Sequence, residues 1–199
     1  MAVALSWVAL VYLLAVGGSL VPSAKVADRL GRKQVYAWSW GVMIAGLIAA
    51  VLAPTAWLFF VGRVVQGIGA GMAFATSPAI LTAVFPSQER GRVLGINVAA
   101  TYAGLTAGPP LGGLLTATLG WRSVFVFTAL LAAVTVLLVV WGLRGMEWCE
   151  RAEGPFDYVG TVLYVVGLCG LLLGLSLLPQ LLGIAAAIVG AVGDRKSVV

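Results

Sequence analysis

The chain has 199 residues, 61% of them hydrophobic and 10% charged, with a mean hydropathy of +1.07. Roughly a quarter of a water-soluble domain is charged, so this composition excludes that class and points to a polytopic membrane protein. The absence of histidine rules out a histidine-held metal and a Ser-His-Asp triad, and the net charge of +5 is confined almost wholly to short connections between apolar runs, which is a membrane-orientation pattern rather than a nucleic-acid footprint.

The first apolar run, residues 1–21, lacks both a basic start and a small-residue cleavage site, so it reads as a span rather than a signal peptide. A polar loop at 22–34 follows, then spans at 35–53 and 56–85 joined by a tight uncharged turn at 53–55. A basic loop at 86–92 leads to a fourth span at 93–118, and a turn carrying Arg122 leads to a fifth at 124–143. A polar connection at 144–157 precedes a sixth span at 158–178, and a seventh apolar run at 181–192 has only twelve residues. About twenty residues are needed to cross a bilayer, so that last run reads as truncated. Cys149 lies in the polar connection and Cys169 within a span, which makes neither a disulfide nor a thiolate metal site expected.

Lys and Arg number four, two and two in loops 22–34, 86–92 and 144–157, against none and one in the turns at 53–55 and 119–123. The positive-inside rule places the first set in the cytoplasm. Met1 then falls outside, and one further helix before it is expected. Residues 194–199 (DRKSVV) match one reading frame of a widely used sequencing adapter, so 193–199 is read as a non-native tail.

Within the fourth span Gly104, Gly108 and Gly112 recur at four-residue spacing, which on a helix makes a smooth face suited to close backbone approach. Pro109 and Pro110 remove two backbone donors there and should loosen the turn before them. Gly67, Gly71 and Ala75 repeat the spacing in the third span. Both stretches are open to a plain reading, helix packing without further role.

Three stretches in order on consecutive spans resemble the signatures of the major facilitator superfamily of secondary transporters. Residues 24–33 (AKVADRLGRK) resemble its loop signature, with Ala24 in place of the usual glycine, and residues 59–71 (FFVGRVVQGIGAG) resemble the signature of the following helix. Gly104, Gly108, Pro109, Gly112, Gly113 and Leu115 match the signature typical of its drug:proton antiporter branches. The polar connection followed by Phe156, Asp157, Tyr158 and Gly160 is similar to the start of the extra middle helices of the fourteen-helix branch.

The resemblance implies an all-α integral membrane bundle, a partial major-facilitator-type fold with six complete spans and a truncated seventh. It divides the chain into a bundle at 1–143, a cytoplasmic linker at 144–157, the start of the middle helices at 158–192 and the tail. It further implies proton-coupled efflux of amphipathic or hydrophobic compounds across the plasma membrane, driven by the proton gradient with no cofactor. The partners implied are the lipid bilayer, a small-molecule substrate, protons and a missing C-terminal half, with no nucleic acid. Without that half the fragment is expected to be inactive.

By the same resemblance Asp28, Arg29, Gly31, Arg32 and Lys33 form a conformational latch, with Asp28 the anchor, Arg32 its charge partner and Gly31 the tight turn. The alternative is a solvated, orientation-setting loop. Arg63, with Gln66 and Gly67, is the proton-coupling candidate, because a charge within a span is costly and normally faces the bundle interior. Its alternative is a structural tie to carbonyls. No Asp or Glu lies within any span, and the family often places the needed carboxylate on the first helix. Gln66, Thr101 and Tyr102 are polar residues within spans, expected to bond a neighbouring helix before a substrate. A half-size dimeric transporter or a non-transporting scaffold is the alternative function, and no nucleophile–base pair suggests an enzyme.

Overall fold

The computed structural model describes residues 2–142 and 159–174, and α-helix is the only regular element among them. In chain order these are α1 (Ala2–Leu30), α2 (Arg32–Leu52), α3 (Ala56–Val84), α4 (Arg90–Leu119) and α5 (Arg122–Gly142), then α6 (Val159–Gly174). The linker at 144–157, the run at 181–192 and the tail at 193–199 lie outside the described residues.

Among the described residues four helices are long and apolar enough to cross a membrane: Trp7–Leu30, Arg32–Leu52, Ala56–Val84 and Arg122–Gly142. At 30 residues α4 has the length, but Asn97, the threonines and Pro109 and Pro110 dilute its apolar character. It remains helical through both prolines.

The expected loop at 22–34 is not a loop. Helix α1 continues through Ser23, Lys25, Asp28 and Arg29 to Leu30, and α2 starts at Arg32. Only Gly31 breaks the run, at φ 103° and ψ 127°. Its N–H still donates to the Ala27 carbonyl (2.9 Å) and its carbonyl accepts from the Val35 N–H (3.2 Å), so the helical bonding of each helix reaches onto the one residue between them. An L side chain at that φ is strained. Gly31→Ala should therefore destabilise by about 1–3 kcal/mol, read as a lower unfolding midpoint in detergent.

Helix α3 is the centre of the bundle, and its glycines set how near its neighbours come. Toward α2, a Cβ at Gly62 would lie 2.8 Å from the Ala50 nitrogen, and one at Gly69 would lie 2.6 Å from the Met43 nitrogen and 2.7 Å from the Ser39 carbonyl. On α2, Gly46 meets the Gln66 nitrogen and the Gly62 carbonyl in the same way. Residues 39, 43, 46 and 50 thus mesh with 62, 66 and 69, both sets at alternating three- and four-residue spacing as antiparallel helices require. Toward α1, which runs parallel to α3, a Cβ at Gly67 would lie 2.8 Å from the Tyr12 carbonyl, and one at Gly71 would meet Ser19 and the Val16 carbonyl. The buried hydroxyls at this centre are satisfied on their own helices, Ser39 by the Tyr36 carbonyl (2.6 Å) and Thr76 by the Met72 carbonyl (2.7 Å).

At the end of the bundle near the 53–55 turn, Phe59 lies edge-to-face against Trp121 and Phe125 at centroid distances of 5.8 and 5.5 Å. Arg122 donates from Nε to the Val51 carbonyl (3.2 Å), tying the start of α5 to the end of α2. Helix α6 lies on α1, where Tyr164 donates to the Gly17 carbonyl (3.3 Å), Leu168 covers Gly17 and Val165 covers Gly18.

Candidate functional site

The R-x-x-Q-G spacing places Arg63, Gln66 and Gly67 on one segment of α3, and each has a distinct role in the packing. The Gln66 backbone is pressed on Gly46 of α2, and the Gly67 backbone is pressed on Tyr12 of α1. Arg63 projects from between these two seams. Its Nη1 donates to Gln66 Oε1 (2.7 Å), and its guanidinium carbon lies 4.4 Å from the Tyr12 ring centroid and 5.8 Å from that of Phe125 on α5. Its Nε is buried and has no hydrogen-bond partner among the described residues. Gln66 is only 6% exposed, so its carbonyl faces the cation rather than water.

Arg63 stands seven residues into α3, about 10 Å along the axis from the helix start. No carboxylate is placed against it among the described residues. Two aromatic faces and one amide stand where a counter-ion would be expected. A desolvated cation over a ring gains about 2 kcal/mol, which offsets much of the roughly 2.5–3.5 kcal/mol that an arginine costs at the centre of a spanning helix.

The second group of candidates lies at the opposite end of α3. Arg32 donates to Asp28 Oδ1 from Nε (3.2 Å) and from Nη2 (3.1 Å), spanning the Gly31 break, and its Nη1 donates to the Ala79 carbonyl of α3 (3.4 Å). One guanidinium therefore joins α1, α2 and α3. Asp28 and Arg32 side chains are 43% and 38% exposed, so solvent screens the pair and its worth to stability is small. What the pairing fixes is direction. Arg29 and Lys33 belong to the same end of the molecule. From Arg63 to Ala79 is sixteen residues along α3, about 24 Å, so the two groups are separate.

The third group stands apart from both. On α4, a Cβ at Gly104, Gly108, Gly112 or Gly113 would meet nothing within 4 Å among the described residues, so the face expected to receive a neighbour is open here. Thr101 donates to the Asn97 carbonyl of its own helix (2.9 Å) and Tyr102 is 66% exposed, so neither is seen bonded to a neighbouring helix among the described residues. Gln66 likewise pairs within α3.

Tyr12 and Phe125 are the site residues that sequence reasoning missed. Each is one aromatic within an apolar run, and only the register of α1 on α3 and of α5 on α2 reveals it. The spacing of Gly67 and Gly71 signalled a close helix contact at this face, but not which residue of which helix makes it. On the α1–α3 surface a separate, wholly apolar groove of about 670 Å³ is lined by Trp7, Val11, Trp57, Phe60, Val61 and Val64 with Val65.

Comparison with known proteins agrees with this architecture. Residues 2–157 match the model of the Major Facilitator Superfamily. The chain is similar to the multidrug resistance protein Stp of Mycobacterium tuberculosis, at 33% identity over 178 residues, covering 89% of this chain and 33% of Stp. It is 32% identical over 180 residues to the methylenomycin A resistance protein of Streptomyces coelicolor, covering 89% and 37%, and 31% identical over 159 residues to the drug efflux pump JefA of M. tuberculosis, covering 79% and 31%. The chain thus spans about a third of the length of these curated relatives. The fold, the apolar helices and the matching model agree, and the chain belongs to the major facilitator superfamily.

Proposed function

We propose that this chain is the N-terminal part of a proton-coupled efflux antiporter of the plasma membrane that exports amphipathic or hydrophobic compounds. The carrying observation is Arg63, a cation inside a spanning helix whose only close partners among the described residues are Tyr12, Gln66 and Phe125. A charge left at that depth without a carboxylate is set up to be answered by one that gains and loses a proton. A helix preceding α1 supplies that carboxylate in this reading. The names of three relatives, two for drug resistance and one for drug efflux, support export, and the apolar groove beside α1 and α3 is within the size range of drug-sized sites.

The pairs at the basic end act as the latch. Asp28 and Arg32 brace the cytoplasmic side, Gly31 gives the turn, and Arg29 and Lys33 add to the positive charge that orients it. Alternating access rocks one half-bundle against the other, and the latch releases as it does so. The open glycine face of α4, with Pro109, is covered by the C-terminal half, without which the chain does not transport.

The test is transport by the full-length protein in proteoliposomes. Everted, acid-loaded vesicles should accumulate ethidium, and nigericin should abolish that accumulation. Accumulation indifferent to the pH gradient would sink the antiport reading. Activity of residues 1–199 alone as a dimer would favour the half-size alternative.

A further inference from the structure

We infer that Tyr12 is the positioning residue of the Arg63 site, its ring face rather than its hydroxyl holding the guanidinium in the orientation that coupling uses; the inference rests on the coupling reading above. Three observations carry it. Gln66, the hydrogen-bond partner, lies three residues along the same helix, so it holds the cation to α3 but cannot tie it to a neighbouring helix. Tyr12 belongs to another helix, and its backbone is fixed on Gly67, where a Cβ would lie 2.8 Å from the Tyr12 carbonyl. Its ring is also the nearer of the two aromatic faces, at 4.4 Å against 5.8 Å for Phe125.

The alternative position for Arg63 follows from the geometry of a long side chain. Two turns from the start of α3, an unrestrained arginine extends along the helix toward the 53–55 turn and water, as arginines near span ends do. The ring opposes this, since a cation within 6 Å of an aromatic face is held electrostatically, more strongly once water is excluded. The burial of Nε, with no acceptor beside it among the described residues, fits that restraint: the one hydrogen bond to the group comes from its own helix, and the contact that holds it to another is the ring. Phenylalanine keeps the face, leucine removes it, and neither disturbs the backbone seat on Gly67.

In the full-length transporter, Tyr12→Phe should export ethidium within about twofold of the parent. Tyr12→Leu at equal membrane abundance should lose about tenfold and shift the pH profile of export. In an Arg63→Leu background, Tyr12→Leu should change nothing further, because the partner is already gone. Should Tyr12→Leu fail to reach the membrane, Tyr12→Met, which keeps length without a ring, takes its place. Equal loss in the Phe and Leu variants would assign the role to the hydroxyl and overturn the inference. Normal export by Tyr12→Leu, or additive loss with Arg63→Leu, would overturn it too, leaving the coupling reading intact. Normal export by Arg63→Leu alone is the different result that removes the coupling reading itself.

Discussion

Gly46→Ala should destabilise the bundle, while Gly41→Ala, five residues away on the same helix, should be neutral or stabilising. Alanine favours a helix interior over glycine by about 0.8–1.0 kcal/mol, and at Gly41 nothing lies within 4 Å to oppose it. At Gly46 the new methyl meets the Gln66 nitrogen and lies 2.7 Å from the Gly62 carbonyl and 2.8 Å from the Gln66 Cα, all backbone. Backbone cannot rotate aside as a side chain can, so α2 and α3 must move apart. Overpacking costs about 1–3 kcal/mol, and separating the helices also loosens the seats of Gly62 and Gly69. The unfolding midpoint in detergent, compared between the two variants, reads the difference. Equal midpoints would show that the α2–α3 seam is looser than the structure has it.

Among the described residues the placement of the helices was legible, because apolar runs separated by short polar stretches mark them. The same signal misplaced the first connection. Lys25, Asp28 and Arg29 mark the edge of the bilayer, and charge there ends the membrane, not the helix. The true helix end was encoded in Gly31, the one residue between them that tolerates φ 103°. Arg63, Gln66 and Gly67 were legible as a local motif, whereas Gly46, Gly62 and Gly69 were not. Their meshing depends on the antiparallel register of two helices, which no single-helix spacing contains. Tyr12 was hidden for the same reason. The glycine face of α4 shows the converse: a four-residue spacing was plain in the sequence, yet among the described residues nothing fills it. Spacing predicts that a face can be approached closely, and the approaching element has to be known separately.

Arg63→Leu should separate stability from transport. Were Arg63 a structural tie, removing it would loosen the bundle by the roughly 3–5 kcal/mol typical of breaking a buried charged pair. The geometry argues otherwise, because among the described residues no carboxylate stands against it to be stranded. Leucine removes the cost of an arginine inside the span, roughly 2.5–3.5 kcal/mol. Against this stand the lost cation–ring attraction, about 2 kcal/mol, and Gln66 Oε1 left without its 2.7 Å donor, about 1–3 kcal/mol. These nearly cancel, so the unfolding midpoint of the Leu variant should stay close to that of the parent. Export driven by a pH gradient should nevertheless fall about 100-fold, in the range for losing a group that governs proton transfer. Arg63→Lys keeps the charge but lacks the planar group that lies on Tyr12 while bonding Gln66, so it should fall between the two. A large fall in midpoint with normal export per folded molecule would identify Arg63 as a strut, and the proton-coupling role would then belong elsewhere in the transporter.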